Sequence, residues 1–209
     1  MKSPDTVVSW IVLGPILPVA FMLAGWWGAV LLTKNVPVII GVFASGLLFG
    51  ATLALTVFRR WVVSLFALSS RALGFVALFY SILIYGAFMG LPLFNPAVGF
   101  VGGLILGHRA DLLGYPPERV RWTAHRWALG ATSLLLVFCL ASAGLALNEA
   151  SAGSEIQHMF RLPFEVTHER LVFLLVGGGL GLLVFQYAVA RLGVWLGSQP
   201  LGQPPLYAE

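Results

Sequence analysis

The sequence predicts an all-α integral membrane protein, a bundle of six transmembrane helices with the N- and C-termini both in the cytoplasm. The 209 residues are 59% hydrophobic and 10% charged, whereas a soluble domain is roughly one-quarter charged, so a water-soluble fold is excluded. Lipid leaves only helices or a closed barrel, because every backbone polar group must be satisfied within the chain. Continuous apolar runs without polar alternation exclude the barrel. Examples are the charge-free runs 36–58, 72–107 and 171–190.

Six spans follow from the apolar runs and from the breaks between them. The apolar stretch near the N-terminus is too long for a cleaved signal peptide and is predicted to be a retained span. Gly14 and Pro15 interrupt it, so a kink or a discontinuous helix is expected there. The run 72–107 would measure about 54 Å as one helix at 1.5 Å per residue, so we predict a break between Pro92 and Pro96. The predicted spans are 8–32, 36–58, 72–92, 95–110, 127–148 and 171–195.

Positive charge supports this topology and sets its orientation. With six spans, nine of the 12 Lys and Arg residues share one side, which the positive-inside rule places in the cytoplasm. If 95–110 were a re-entrant loop, the basic residues of 59–71 and 108–126 would fall on opposite sides and the bias would collapse. We therefore predict a multi-pass protein of the cell inner membrane. The basic side comprises Lys2, Arg59, Arg60, Arg71, Arg109, Arg119, Arg121, Arg126 and Arg191, and the other side keeps Lys34, Arg161 and Arg170.

The segments outside the spans carry predictions of their own. Residues 1–196 are predicted to form a single transmembrane domain. The tail 197–209 is rich in Pro, Gly and Gln, and is predicted to be disordered in the cytoplasm. After the paired prolines Pro116 and Pro117, residues 117–127 are predicted to form a short helix on the membrane surface, since proline favours a first helical position.

Glycines recur at four-residue spacing within several spans. On a helix this spacing lays a groove along one face, which lets a neighbouring backbone approach closely in lipid. The pattern predicts tight helix packing, either within the chain or with a second copy or another membrane protein; a narrow pore lined by glycine is the alternative. The glycines are Gly46 and Gly50, Gly86 and Gly90, Gly99, Gly103 and Gly107, and Gly177 and Gly181.

The segment Asn95-Pro96-Ala97-Val98 resembles the signature of aquaporins. The resemblance covers four residues, and aquaporins carry two such segments, whereas this chain has one. Membership of that family is therefore not predicted. Asn95 is interpreted as part of a turn between two spans, because Asn and Pro favour turns.

The predicted extracytoplasmic loop before the last span holds the candidate metal site. Glu155 and His158, and again Glu165 and His168, place a carboxylate three residues before an imidazole. On a helix this spacing puts two metal ligands on one face. These four residues are the predicted site for a divalent metal, and a solvated acidic loop is the alternative. No other cofactor is predicted, and the single cysteine, Cys139, excludes a disulfide within the chain.

Three functions are compatible with this architecture. No Asp, Glu, Lys, Arg or His falls in the middle of a predicted span, which disfavours proton-coupled transport, but polar groups such as Gln186 and Tyr187 could line a site for a neutral or amphipathic ligand. The first hypothesis is therefore a small-molecule transport or ligand-binding component. In size and span count it is similar to the substrate-binding membrane subunits of energy-coupling-factor vitamin transporters.

The other two hypotheses belong to different classes. One is a non-catalytic scaffold subunit of a membrane complex, which the glycine faces favour. The other is an enzyme that acts on lipid through the 149–170 loop. It is the least favoured of the three, because few groups could perform chemistry. The lipid bilayer is the expected partner, and nucleic acid is not, since the basic residues lie between spans.

Overall fold

The computed structural model describes residues 4–58, 65–87, 92–161 and 163–199. All regular secondary structure in these ranges is helical, which confirms the predicted all-α class. The chain divides into two compact units, Met1–Val76 and Ala77–Glu209. Of the tail 197–209 that is predicted to be disordered, residues 200–209 lie outside the described residues, and Gly197 is the last residue of the final helix. That 1–196 act as one transmembrane domain stays a prediction.

The first unit begins with a helix that is broken where the sequence predicts. Its elements are α1 (Pro4–Leu13), α2 (Ile16–Leu32), α3 (Val36–Leu53), a π-helical turn (Ala54–Phe58), a 3₁₀ turn (Leu65–Ala67) and the first part of α4 (Ser70–Ala87). Gly14 and Pro15 separate α1 from α2, because proline has no N–H to donate to the preceding turn. The Ser9 hydroxyl accepts a hydrogen bond of 2.8 Å from the backbone N–H of Leu65, which joins α1 to the 3₁₀ turn.

Helices α2 and α3 pack along a glycine face. A Cβ atom built on Gly46 would lie 2.5 Å from the carbonyl oxygen of Phe21, and one built on Gly50 would lie 2.6 Å from that of Leu17. A side chain at either position would therefore push the helices apart. The partners run in opposite order, so the two helices form an antiparallel pair. The predicted role of this glycine pair in helix packing is confirmed.

The second unit is built around two long antiparallel helices. Besides the end of α4, it contains a 3₁₀ turn (Pro92–Phe94), α5 (Asn95–Leu112), α6 (Pro117–Asn148), α7 (Ala152–Phe160) and α8 (His168–Gly197). Pro117 is the first residue of α6, as predicted, but the helix continues without interruption to Asn148. The short surface helix predicted at 117–127 is therefore not a separate element, because no proline stops the helix before the span.

Helix α5 lies parallel to α8 and very close to it. A Cβ atom built on Gly103 would lie 2.6 Å from the carbonyl oxygen of Ala190, and one on Gly107 would lie 2.8 Å from the backbone nitrogen of Ser198. The partner numbers rise together along both helices, so the helices run in the same direction. Gly193 of α8 in turn makes room for a backbone carbonyl of α5. The predicted packing of this glycine face is confirmed.

Among the described residues, four helices are long and apolar enough to cross a membrane, which indicates a membrane-embedded protein. Large apolar side chains on these helices are exposed: Leu32 is 88% and Phe173 is 77% exposed, as expected for residues that face lipid. The helix Ser70–Gly86 is apolar but shorter, and α5 carries Arg109 in its last turn. The four candidate spans are Thr6–Leu32, which joins α1 and α2 across the break at Gly14 and Pro15, Val36–Thr56, which continues α3 into the π-helical turn, Pro117–Asn148 and His168–Gly197.

Candidate functional site

The N-terminus of α5 lies level with the middle of α8. Gly99 sits against Gln186, because a Cβ atom built on Gly99 would meet the side-chain amide of Gln186. Asn95, the first residue of α5, lies one turn before Gly99 and is therefore level with about residue 182 of the parallel α8. Since α8 has 30 residues, this level is about 20 Å from either end of α8 at 1.5 Å per residue. Helix α5 thus covers only the second half of α8.

Two carboxamide side chains are buried near this level with unmet hydrogen bonds. Asn95 is 3% exposed and Gln186 is 2% exposed. Within the described residues, neither polar atom of the Asn95 amide has a hydrogen-bond partner, and neither does Oε1 of Gln186. A buried polar group without a partner costs about 1–3 kcal/mol, so such groups in folded proteins are normally satisfied by water, an ion or a ligand. We call these two residues the amide pair and take them as the candidate binding site.

The local sequence explains why α5 begins at this point. Pro92 opens the 3₁₀ turn, and Pro96 stands in the first turn of α5, where its missing N–H is not needed. The first N–H groups of a helix have no acceptor within the helix and carry a partial positive charge. The indole N–H of Trp127 donates to the carbonyl oxygen of Gly99 at 2.8 Å, which fixes α6 against the same part of α5. The groups near the amide pair, the first backbone N–H groups of α5 and the indole of Trp127, are therefore uncharged hydrogen-bonding groups.

A polar contact between α6 and α8 lies next to the amide pair in sequence. Nδ1 of His125 and the hydroxyl of Tyr187 share a hydrogen bond of 2.8 Å, and the two rings meet edge to face. The guanidinium carbon of Arg191 lies 5.8 Å from the centre of the Tyr187 ring. This contact holds α6 against α8 one residue away from Gln186.

Three other polar side chains of the apolar helices have hydrogen-bond partners nearby. Ser45 and Thr52 donate to carbonyl oxygens one turn earlier in their own helix, at 2.8 and 2.9 Å. Ser142 donates to the hydroxyl of Tyr85 at 3.2 Å, and the ring of Tyr85 stacks on Phe138 with centroids 4.7 Å apart. These contacts join the end of α4 to α6, whereas Oγ1 of Thr132 on α6 is, like the amide pair, buried without a hydrogen-bond partner in the described residues.

The four predicted metal ligands fall on three different segments. Glu155 and His158 lie one turn apart on α7, Glu165 lies in the non-helical segment before α8, and His168 is the first residue of α8. Arg161, in the left-handed conformation at φ 50°, ends α7 between the two pairs. In the part of the chain that the structure describes, no group of three or more His, Cys, Asp or Glu side chains could hold one metal ion. Metal binding by either pair stays a prediction, and so does a lipid-directed enzyme activity of this loop.

Of the two residues of the amide pair, the sequence indicated only Gln186 as a candidate for ligand binding. Gln186 stood out as a polar residue inside an apolar run, whereas Asn95 was interpreted as part of a turn. The signal for Asn95 was the run 72–107, which is too long for one crossing and slightly short for two. Because α5 begins half-way along α8, the run 72–107 can be shorter than two complete crossings would require.

The fold and the four long apolar helices define the class of the protein as an α-helical, membrane-embedded protein. No family model matches the chain, and no curated protein or solved structure matches it. The role of the amide pair is therefore argued from its own geometry.

Proposed function

We propose that the chain crosses the membrane six times, with both termini in the cytoplasm, and binds a small neutral polar ligand at the amide pair. In this proposal the protein is a ligand-binding component of small-molecule transport. The observation that carries it is the burial of the Asn95 amide and of Oε1 of Gln186 without hydrogen-bond partners in the described residues, near the point where α5 begins half-way along α8. Discontinuous helices with exposed ends near the bilayer midplane are a recurring form of transporter binding site.

The direction of α5 supports six crossings. Helix α5 is parallel to α8, and α8 is antiparallel to α6. In the six-crossing topology α8 runs from outside to inside, so α5 runs from outside to inside as well. In this topology α5 forms the cytoplasmic part of the fourth crossing. The distribution of Lys and Arg, nine of 12 on one side, favours the cytoplasm for the end where α6 begins.

The chemistry of the amide pair favours a neutral, hydrogen-bonding ligand. A carboxamide offers donors on its nitrogen and acceptor sites on its oxygen, and it carries no charge to attract or repel an ion. The start of α5 adds backbone N–H groups, which favour an acceptor such as a hydroxyl or carbonyl oxygen. A sugar, a polyol or the amide portion of a vitamin has these properties.

Native mass spectrometry of the protein extracted in mild detergent tests this proposal. The wild type is expected to retain a small molecule, or to gain one from a panel of sugars, polyols and vitamins. The Asn95→Leu/Gln186→Met variant is expected to lose it, while Ser142→Ala, which removes a hydrogen bond elsewhere, is expected to keep it. The proposal is wrong if the wild type neither retains a mass nor shifts its melting temperature with any panel member.

A scaffold role is the second candidate, and one observation favours it. Among the described residues, a Cβ atom built on Gly177 or Gly181 would have no neighbour within 4 Å, so none of these residues covers this glycine pair in the half of α8 that lies before α5. Close approach of another helix is what such a face permits. Replacing Gly181 by leucine is expected to abolish co-purification of a stoichiometric membrane partner, and a wild type that always purifies alone would remove this candidate.

A further inference from the structure

A groove of about 310 Å³ lies between the start of α6 and the end of α8. Its most deeply buried lining residues are Ala124 and Val194, at 7% and 0% exposed. Arg121 from α6 and Arg191 from α8 line it as well, with Trp195. The groove therefore combines a small apolar interior with two exposed guanidinium groups from facing helices.

The arginine side chains in this region divide into two kinds. Arg119 lies over the ring of Tyr115 at 4.1 Å, and Arg126 lies over the ring of Trp122 at 4.4 Å. Arg121 has no ring contact, hydrogen bond or ion pair within the described residues. Its free guanidinium is thus available to an external anion.

No carboxylate lines the groove in the described part of the chain. Glu118 lies one helical turn before Arg121 on α6, but no ion pair within 4.0 Å joins the two in the described residues. Within the described residues, Arg191 has no hydrogen bond or ion pair, and its guanidinium carbon lies 5.8 Å from the centre of the Tyr187 ring. Two like charges that line one small groove repel each other, and an anion bound between them would relieve that repulsion.

We propose that this groove binds the headgroup of an anionic phospholipid, with the phosphate between Arg121 and Arg191 and the first acyl carbons against the apolar lining. The position favours a lipid over a soluble anion, because α6 enters its apolar run and α8 leaves its own at this end. Trp122 and Trp195 are 58% and 57% exposed there, and exposed tryptophan is favoured at headgroup depth. Basic pockets between membrane helices are suited to such headgroups. The proposal does not depend on the amide pair.

The test measures lipid binding to the full-length protein in a neutral detergent by native mass spectrometry. The probes are short-chain phosphatidylglycerol, short-chain phosphatidylcholine and inorganic phosphate. The variant Arg121→Gln/Arg191→Gln is expected to bind phosphatidylglycerol about 30-fold more weakly than the wild type, from the contribution of two arginines near an anionic headgroup. The matched control Arg119→Gln/Arg126→Gln removes the same charge from stacked arginines and is expected to bind nearly as well as the wild type.

Three results would overturn the proposal. Equal weakening in both double variants would mean that only the overall positive charge matters. Equal affinity for phosphatidylcholine would remove the role of the anion, and displacement of phosphatidylglycerol by inorganic phosphate at equal concentration would assign the groove to a soluble anion. If the double variant does not fold, Arg121→Gln alone carries the test with an expected loss of about fivefold.

Discussion

Replacing Gly103 by alanine would insert a methyl group into the contact between α5 and α8. That methyl carbon would lie 2.6 Å from the carbonyl oxygen of Ala190 and 3.0 Å from the backbone nitrogen of Val194. Both neighbours are backbone atoms, so neither can rotate away. An ordinary contact begins at 3.4 Å, so the two helices would have to move apart by about 0.8 Å along a closely packed interface.

The expected energy follows from two opposing terms. Overpacking of a close contact costs about 1–3 kcal/mol, while alanine gains about 0.8–1 kcal/mol over glycine in helix propensity. The control Gly181→Ala, in α8, gains the same propensity, and its methyl group meets no atom of the described residues within 4 Å. The difference in unfolding free energy between the two variants therefore isolates the packing cost, about 1–3 kcal/mol.

Thermal unfolding in one detergent, followed by tryptophan fluorescence, measures this difference. For a chain of this size 1 kcal/mol corresponds to about 2–4 °C, so Gly103→Ala is expected to melt about 2–12 °C below Gly181→Ala. Equal melting temperatures, or a more stable Gly103→Ala, would refute the close parallel packing of α5 on α8.

Three further predictions concern other contacts. Ser9→Ala leaves the buried N–H of Leu65 without this acceptor and is expected to cost about 1–3 kcal/mol, whereas Ser45→Ala, which removes a bond within one exposed helix, is expected to change the melting temperature little. Trp127→Phe removes the hydrogen bond from α6 to α5 and is expected to lower stability by about 0.5–1.5 kcal/mol in a denaturant titration; an unchanged midpoint would mean that the bond contributes nothing. The metal hypothesis predicts that Zn²⁺ raises the melting temperature of the wild type but not of His158→Ala, and an equal rise in both would exclude His158 as a ligand.

The breaks in the helices were predictable because backbone chemistry determines them. Proline at Pro15, Pro92 and Pro96 lacks an N–H group, and the chain leaves or enters a helix close to each of them. The continuity of α6 was less visible, since a polar stretch such as 117–127 can be helical on a surface or within a longer helix. The length and composition of a sequence segment indicate that it can form a membrane-spanning helix, but they do not indicate the residue at which that helix begins.

Which glycine face is covered was not predictable from spacing alone. Gly103 and Gly181 belong to the same four-residue pattern, yet one contacts backbone atoms and the other faces open space. In lipid both the packed and the exposed faces of a helix are apolar, so the hydrophobic pattern carries little information about packing. The level of Asn95 along α8 depends on the register of α5 against α8, and for this reason the sequence indicated Gln186 without indicating that Asn95 is buried near the same level.

The most direct test of the account asks whether residues 70–112 cross the membrane twice. Cysteine is placed at Ser69 or at Glu118, both exposed, in a background in which Cys139 is replaced by serine, and intact cells are treated with an impermeant maleimide. Six crossings predict that both positions react only after the membrane is opened, so that they share the cytoplasmic side. Labelling of one position in intact cells and not of the other would mean an odd number of crossings between them, and would contradict both the proposed topology and the proposed mid-membrane position of the amide pair.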